Sequence, residues 1–168
     1  MGSLHPMMTF VPGVRVRMAE VPFAIEGDRE AVRVARRIVR DLKARFFAIS
    51  KRNKPLYHAF GSFSSPMVIA TLAMAERVAA AAGVPARMRR DVMLPIVKKT
   101  FRNYLEASAD KAFSGPIARG DVNTIRRHLK ALRTVPGARE LYLALARSAL
   151  RNLPVRNRRA VAQVLKNE

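Results

Sequence analysis

A chain of 168 residues that is 49% hydrophobic can build one core-bearing domain, which excludes the composition of a disordered protein. The absence of cysteine excludes disulfides, thiolate nucleophiles and cysteine-ligated zinc, and fits a cytoplasmic location. The formal charge of +20, from 32 Lys and Arg against 12 Asp and Glu, raises nucleic acid as a partner, but the basic residues are spread over 29–45, 87–102, 126–133 and 147–159. A spread of this kind also fits solvated helix faces.

Short apolar runs at 14–18, 21–25 and 46–49, bounded by Pro12-Gly13, Gly27-Asp28 and Lys51-Arg52-Asn53, predict strands or strand-like segments. Val32, Ala35, Val39 and Leu42 recur at helical spacing, so a helix is expected between the last two runs, with Asp28 as its N-cap. Residues 20–50 thus read as strand, helix, strand. So few strands cannot cover both faces of an α/β sheet, and the rest of that sheet is expected elsewhere. Gly-Ser-Leu-His-Pro at 2–6 reads as the middle of a domain, which points to a truncated chain or a fragment.

From Asn53 onward the pattern is helical. One helix is expected over 53–82, with Pro55 in its first turn, Gly83 closing it and a kink at Pro66. It carries an apolar stripe of Leu56, Phe60, Phe63 and Met67, and a polar stripe of Lys54, His58, Ser62 and Ser65. A second helix over 85–109, interrupted by Pro95, offers Met88, Val92, Ile96, Phe101 and Leu105 as core. A loop at 113–120 follows. Asp121 then caps a helix to Arg133, another spans 138–152, and a last short one follows Pro154. The apolar stretch at 66–75 ends at Glu76-Arg77, about half the ~20 residues of a spanning helix, so no membrane partner is expected.

Three segments carry a resemblance: Gly-Ser-Leu-His-Pro at 2–6, Lys-Pro-Leu-Tyr-His at 54–58 and Ser-Gly-Pro-Ile-Ala-Arg-Gly-Asp at 114–121. With the Val-Pro-Phe-Ala-Ile-Glu-Gly-Asp run at 21–28, they resemble Rossmann-fold oxidoreductase-like proteins whose C-terminal helical domain has no known function. That family is similar in architecture to pyrroline-5-carboxylate reductase, prephenate dehydrogenase and 6-phosphogluconate dehydrogenase. The resemblance covers nearly the whole chain except the last dozen or so residues. It implies a mainly α fold: a 6-phosphogluconate dehydrogenase C-terminal-like helical domain at 53–168, preceded by a short α/β remnant of a Rossmann sheet at 1–52. It further implies a homodimer through the helical domain, a small-molecule substrate and an NAD(P)-dependent reaction for the full-length family. None of the eight glycines forms the Gly-x-Gly-x-x-Gly turn that admits a pyrophosphate, so no NAD(P) binding is expected of this chain alone. Where the family often has asparagine after the paired serines, this chain has Pro66, and a polar contact from that position is lost.

Reduction of a carbonyl or imine leaves a heteroatom that must take a proton, a task suited to imidazole. His58 is the candidate acid, and Lys54, four residues earlier on the same face, is placed to hold an anionic substrate. The alternative is that Lys54 is a solvated first-turn residue and His58 merely hydrogen-bonds a neighbour. His5 precedes Pro6 at a strand end, and prephenate dehydrogenase has a similar His-Pro beside its substrate; a turn histidine is the alternative. Ser62 and Ser65 are candidate substrate contacts. In the 114–121 loop, turn and cap roles account for Gly115, Pro116, Gly120 and Asp121, leaving Arg119 as a candidate clamp for carboxylate or phosphate. His128, among Arg126, Arg127 and Lys130, reads as surface, and no His, Asp and Glu set has metal-ligand spacing.

The first reading is therefore the helical domain of an NAD(P)-dependent oxidoreductase, truncated and not catalytically competent alone. The alternative is a basic helical nucleic-acid-binding protein. It comes second because the chain has neither a helix-turn-helix signature nor basic residues interleaved with aromatics on strands.

Overall fold

Strand β1 (Gly2–Pro6) opens the chain in the computed structural model, which describes residues 1–167. It pairs antiparallel with β2 (Pro22–Gly27), which pairs parallel with β3 (Arg45–Ala48), so the sheet order is β1-β2-β3. Helix α1 (Arg29–Asp41) joins the two parallel strands. Asp28 caps it as expected: one carboxylate oxygen accepts from the Ala31 amide at 2.8 Å, and the other takes the Met1 ammonium. The register sets Ser3 beside Glu26, Leu4 beside Ile25 and His5 beside Ala24. Because side chains alternate across a strand, Leu4, Phe23 and Ile25 share one face and close a core with Ala35 and Val39 of α1. Ser3, His5, Ala24, Glu26 and, from β3, Phe47 share the other face.

Residues 14–18 do not form the expected strand. They are irregular up to a 3-10 turn at Met18–Glu20. β2 already has a neighbour on each side, and Val16 and Met18 reach the α1-side core without a ladder. The expected single helix over 53–82 is two, α2 (Lys54–Ser64) and α3 (Pro66–Ala81). The axis breaks at Ser65, whose φ of −135° and ψ of −79° are not helical. Pro66 explains the break, since the residue before a proline is pushed out of the α region.

The chain packs as two compact units, 1–71 and from 72 onward, with the division inside α3. In the second, α4 (Arg89–Glu106) is followed by the one-turn helices α5 (Ala109–Ala112) and α6 (Pro116–Arg119). Then come α7 (Val122–Ala131), α8 (Ala138–Asn152) and α9 (Arg158–Lys166). The expected loop at 113–120 thus contains a helical turn, started by Pro116 and stopped by Gly120 in the left-handed region. Asp121 caps α7, accepting from the Thr124 amide at 3.0 Å. Ile125 and Leu129 of α7, Leu143 and Ala146 of α8, and Val161, Val164 and Leu165 of α9 form the core of this unit.

Met88, Val92, Ile96, Phe101 and Leu105 are not core. All are exposed, Leu105 at 78%, and neither α3 nor α4 buries any residue. The reason lies in the pattern: at 3.6 residues per turn, Val92 and Ile96 fall on one side of α4, and Leu94, Phe101 and Leu105 on the opposite side. A helix apolar on opposite sides needs cover on both, and the chain's own α5 and the turn before α4 are its main neighbours. No helix among the described residues is long and apolar enough to cross a membrane.

Candidate functional site

The site grows from the sheet face opposite α1. Tyr57 is the buried residue of α2, and its ring meets Phe47 of β3 edge-on at 5.9 Å between centroids and His5 of β1 at 5.3 Å. This seats the first turns of α2 beside the end of β1. His58, next along α2, then stands with its ring 4.9 Å from that of His5. Tyr57 Oη lies 3.2 Å from His5 Nδ1. Burial pushes the Tyr57 phenol above its ordinary pKa, so it keeps its proton; where it donates to Nδ1, a neutral His5 carries its own proton on Nε2. Burial foremost, then the charges of His58 and Lys54, hold His5 below the ordinary histidine pKa. His5 is thus a neutral imidazole near pH 7.

Lys54 occupies a second polar group one strand position away. Its ammonium donates to Glu26 Oε1 at 2.9 Å and to Ser3 Oγ at 3.0 Å, and Ser3 Oγ donates to the same carboxylate oxygen at 2.9 Å. Glu26 is 7% exposed, and its pKa is lowered first by the Lys54 hydrogen bond and then by Ser3. Two of three ammonium donors are used here, leaving one for solvent or ligand. Glu26 and Tyr57 were missed in the sequence as site residues. A carboxylate inside the apolar run at 21–27 was the available signal for Glu26; Tyr57 had none beyond its place before His58.

His5, Pro6, His58, Ser62, Ser65 and Pro66 line one cleft of about 540 Å³, with Met7 to Phe10, Gly61 and Ser64 completing it. The expected candidates His5, His58, Ser62 and Ser65 therefore share one concavity, and Lys54 lies one helical turn before His58. Ser62 Oγ donates back to the His58 carbonyl at 3.2 Å, so its lone pairs remain open. Arg119 lies in the second unit and lines another cleft with Arg156 and Arg158. His128 is exposed, with Nδ1 3.3 Å from Tyr142 Oη.

A dinucleotide would need an open turn from strand to helix. At the β2 to α1 turn, Asp28 already occupies the helix N-terminus, and a Cβ at Gly27 would lie 2.5 Å from Gly2 Cα. β1 thus crowds the space that a pyrophosphate takes, and this turn does not fit one.

Residues 21–149 match the family model described as Domain of unknown function (DUF2520). Among solved structures, the chain is similar to the "putative NADP oxidoreductase BF3122 from Bacteroides fragilis", at 30% identity and a TM-score of 0.72 over 88% of this chain and 56% of that one. It also shares a fold with protein TM1727 from Thermotoga maritima, at 17% identity and a TM-score of 0.73 over 99% of this chain and 62% of that one. The chain spans less than two thirds of the length of either. No curated protein matches it.

Proposed function

The chain belongs to the DUF2520 family, and on that premise we propose that it is the substrate-side helical part of an NAD(P)-dependent oxidoreductase, not competent for catalysis alone. The observation that carries this reading is the cleft in which His5 and His58 face each other beside the Lys54–Glu26 pair. The similarity to the Bacteroides protein supplies the reaction class. Residues 1–52 serve as the end of a dinucleotide-binding sheet and 53–168 as the dimerisation and substrate domain. The crowded turn at Gly27-Asp28 supports a cofactor held by residues other than these.

Within the cleft, His58 gives a proton to the oxygen or nitrogen of a reduced carbonyl or imine. His5, neutral and fixed by Tyr57, offers its Nε2 proton as a hydrogen bond to the same polar atom. Lys54, held by Glu26 and Ser3, directs its remaining donor and its charge toward an anionic substrate group, with Ser62 and Ser65 as further polar contacts. The apolar sides of α4 are covered by a second copy, which makes the protein a homodimer. A cytoplasmic location accords with this reading.

The test joins the part of the Bacteroides relative that this chain does not cover to this chain and follows NADPH consumption over a panel of small 2-oxo acids and cyclic imines. Turnover that falls about 10²- to 10⁴-fold in His58→Ala supports the assignment. Turnover unchanged in His58→Ala refutes the site, and a chimera that binds NADPH yet turns over nothing refutes the reaction class.

A further inference from the structure

The second unit holds a cleft of about 660 Å³ lined by Arg119, Arg156 and Arg158 together with the apolar Phe113, Pro154 and Val155. Among the described residues no carboxylate lines it. The nearest acid in sequence, Asp121, is committed to capping α7 and feels the Arg119 charge. Arg158 donates to the Arg151 carbonyl at 3.3 Å, which uses only part of its five-donor fork. The two rims are tied by main chain. Arg156 N–H donates to the Ala118 carbonyl at 3.0 Å, and Gly120, at φ +69°, allows that approach because a Cβ there would lie 2.3 Å from the Arg156 carbonyl oxygen.

We propose that this cleft is a binding site for a small phosphorylated molecule carrying at least two negative charges. Scattered over a convex surface, three arginines are solvated separately. Around one concavity with apolar residues in its lining and no acid among the described residues there, their fields add, and the low-dielectric wall focuses them on the space between. Guanidinium forks match the oxygens of a phosphate in bidentate fashion. The volume lies within the roughly 300–1,000 Å³ typical of small-molecule sites. A compact cleft suits such a ligand better than a duplex, which needs a track of cations along its backbone. Arg119 lies within the residues of the family match and Arg156 and Arg158 beyond them, and the proposal does not draw on the oxidoreductase reading.

The probe is inorganic pyrophosphate, titrated into the full chain at ~0.15 M salt and followed through the backbone amides by NMR. Saturable shifts at Gly115 and Gly120 are expected. Arg119→Gln and Arg156→Gln should each weaken binding about 10-fold or more, from the roughly 1.5–3 kcal/mol of a hydrogen bond to a charged group. The charge-matched control Arg37→Gln on α1 should leave it unchanged. If Arg156→Gln does not fold, Arg156→Lys keeps the charge, loses the fork and should weaken binding several-fold. Equal loss in the α1 control, or no saturation, would reduce the effect to net charge and overturn the proposal. Citrate binding as tightly as pyrophosphate would overturn the phosphate assignment. Duplex DNA that binds more tightly and moves the same amides would overturn it in favour of nucleic acid.

Discussion

Leu105→Asp on α4 tests the proposed self-association most directly. Fully burying a leucine stabilises by about 1.5–3 kcal/mol, and Leu105 is 78% exposed in the single chain. Covering it therefore contributes roughly 1.2–2.3 kcal/mol, and two-fold symmetry presents it twice, for about 2.3–4.7 kcal/mol per dimer. At 1.4 kcal/mol per decade, the substitution should raise the dimer Kd by ~50-fold to ~3,000-fold, before the cost of desolvating the new carboxylate. Sedimentation equilibrium over a concentration series reads this directly. Circular dichroism gives a second readout. α4 buries nothing in its own chain, and isolated helices of its length are marginal in water, so dissociation should lower the helical signal as well. A wild-type chain that stays monomeric at about 100 times the concentration used for spectroscopy, with undiminished helicity, would refute the reasoning. So would a Leu105→Asp dimer of unchanged affinity.

Three further outcomes are expected. The pKa values of His5 and Glu26 are both lowered from ordinary values of 6.5 and 4.5, so the unfolded chain takes up protons more readily than the folded one. Stability should therefore fall with acidification, the His5 contribution being lost as pH drops below about 6.5 and the Glu26 contribution below about 4.5; thermal melts across pH 8 to 4 should show His5→Gln removing the upper part of that decline. Asp28→Ala should cost about 1 kcal/mol by removing the α1 cap, measured by urea denaturation, whereas a loss below a few tenths would mean that the Ala31 amide finds another acceptor. Leu129→Ala, at a fully buried position of the second unit, should cost about 2–5 kcal/mol; hydrogen exchange should place the loss in α7 to α9 and spare β1 to β3.

Local physics was legible in the sequence. Asp28 and Asp121 declare their caps because a short carboxylate before an amphipathic run has few other places to put its oxygens. The mainly α fold with a small Rossmann-like sheet followed from the same patterns and from the resemblance. Pairing was harder. β1 contains only Gly-Ser-Leu-His-Pro, without a β-branched residue, and is a strand because β2 offers it a register. The run at 14–18 has the stronger propensity but no free edge beside β2 to join. Polar spacing along α2 identified His58 and Lys54, whereas the partners that orient them come from β1 and β2. Glu26 and Ser3 meet Lys54 only after strands about twenty residues apart are set side by side, a relation absent from any local window. For α4, apolar spacing was read as core, yet its side chains are exposed; spacing along one helix does not say whether any element lies opposite to cover it.

The break at Ser65 also changes what the cleft wall offers. A helix that ran through position 66 would direct its amide to the Ser62 carbonyl, four residues back; proline has no such hydrogen. The Ser62 carbonyl is left without that helical donor, at a residue that lines the cleft. Hydroxyls accept or donate according to what they meet, and imidazoles change role with their proton. A peptide carbonyl only accepts, at every pH. Next to two histidines and three serines, the proline thus leaves one acceptor of fixed polarity, supplied by the main chain and therefore not removed by changing the Ser62 side chain.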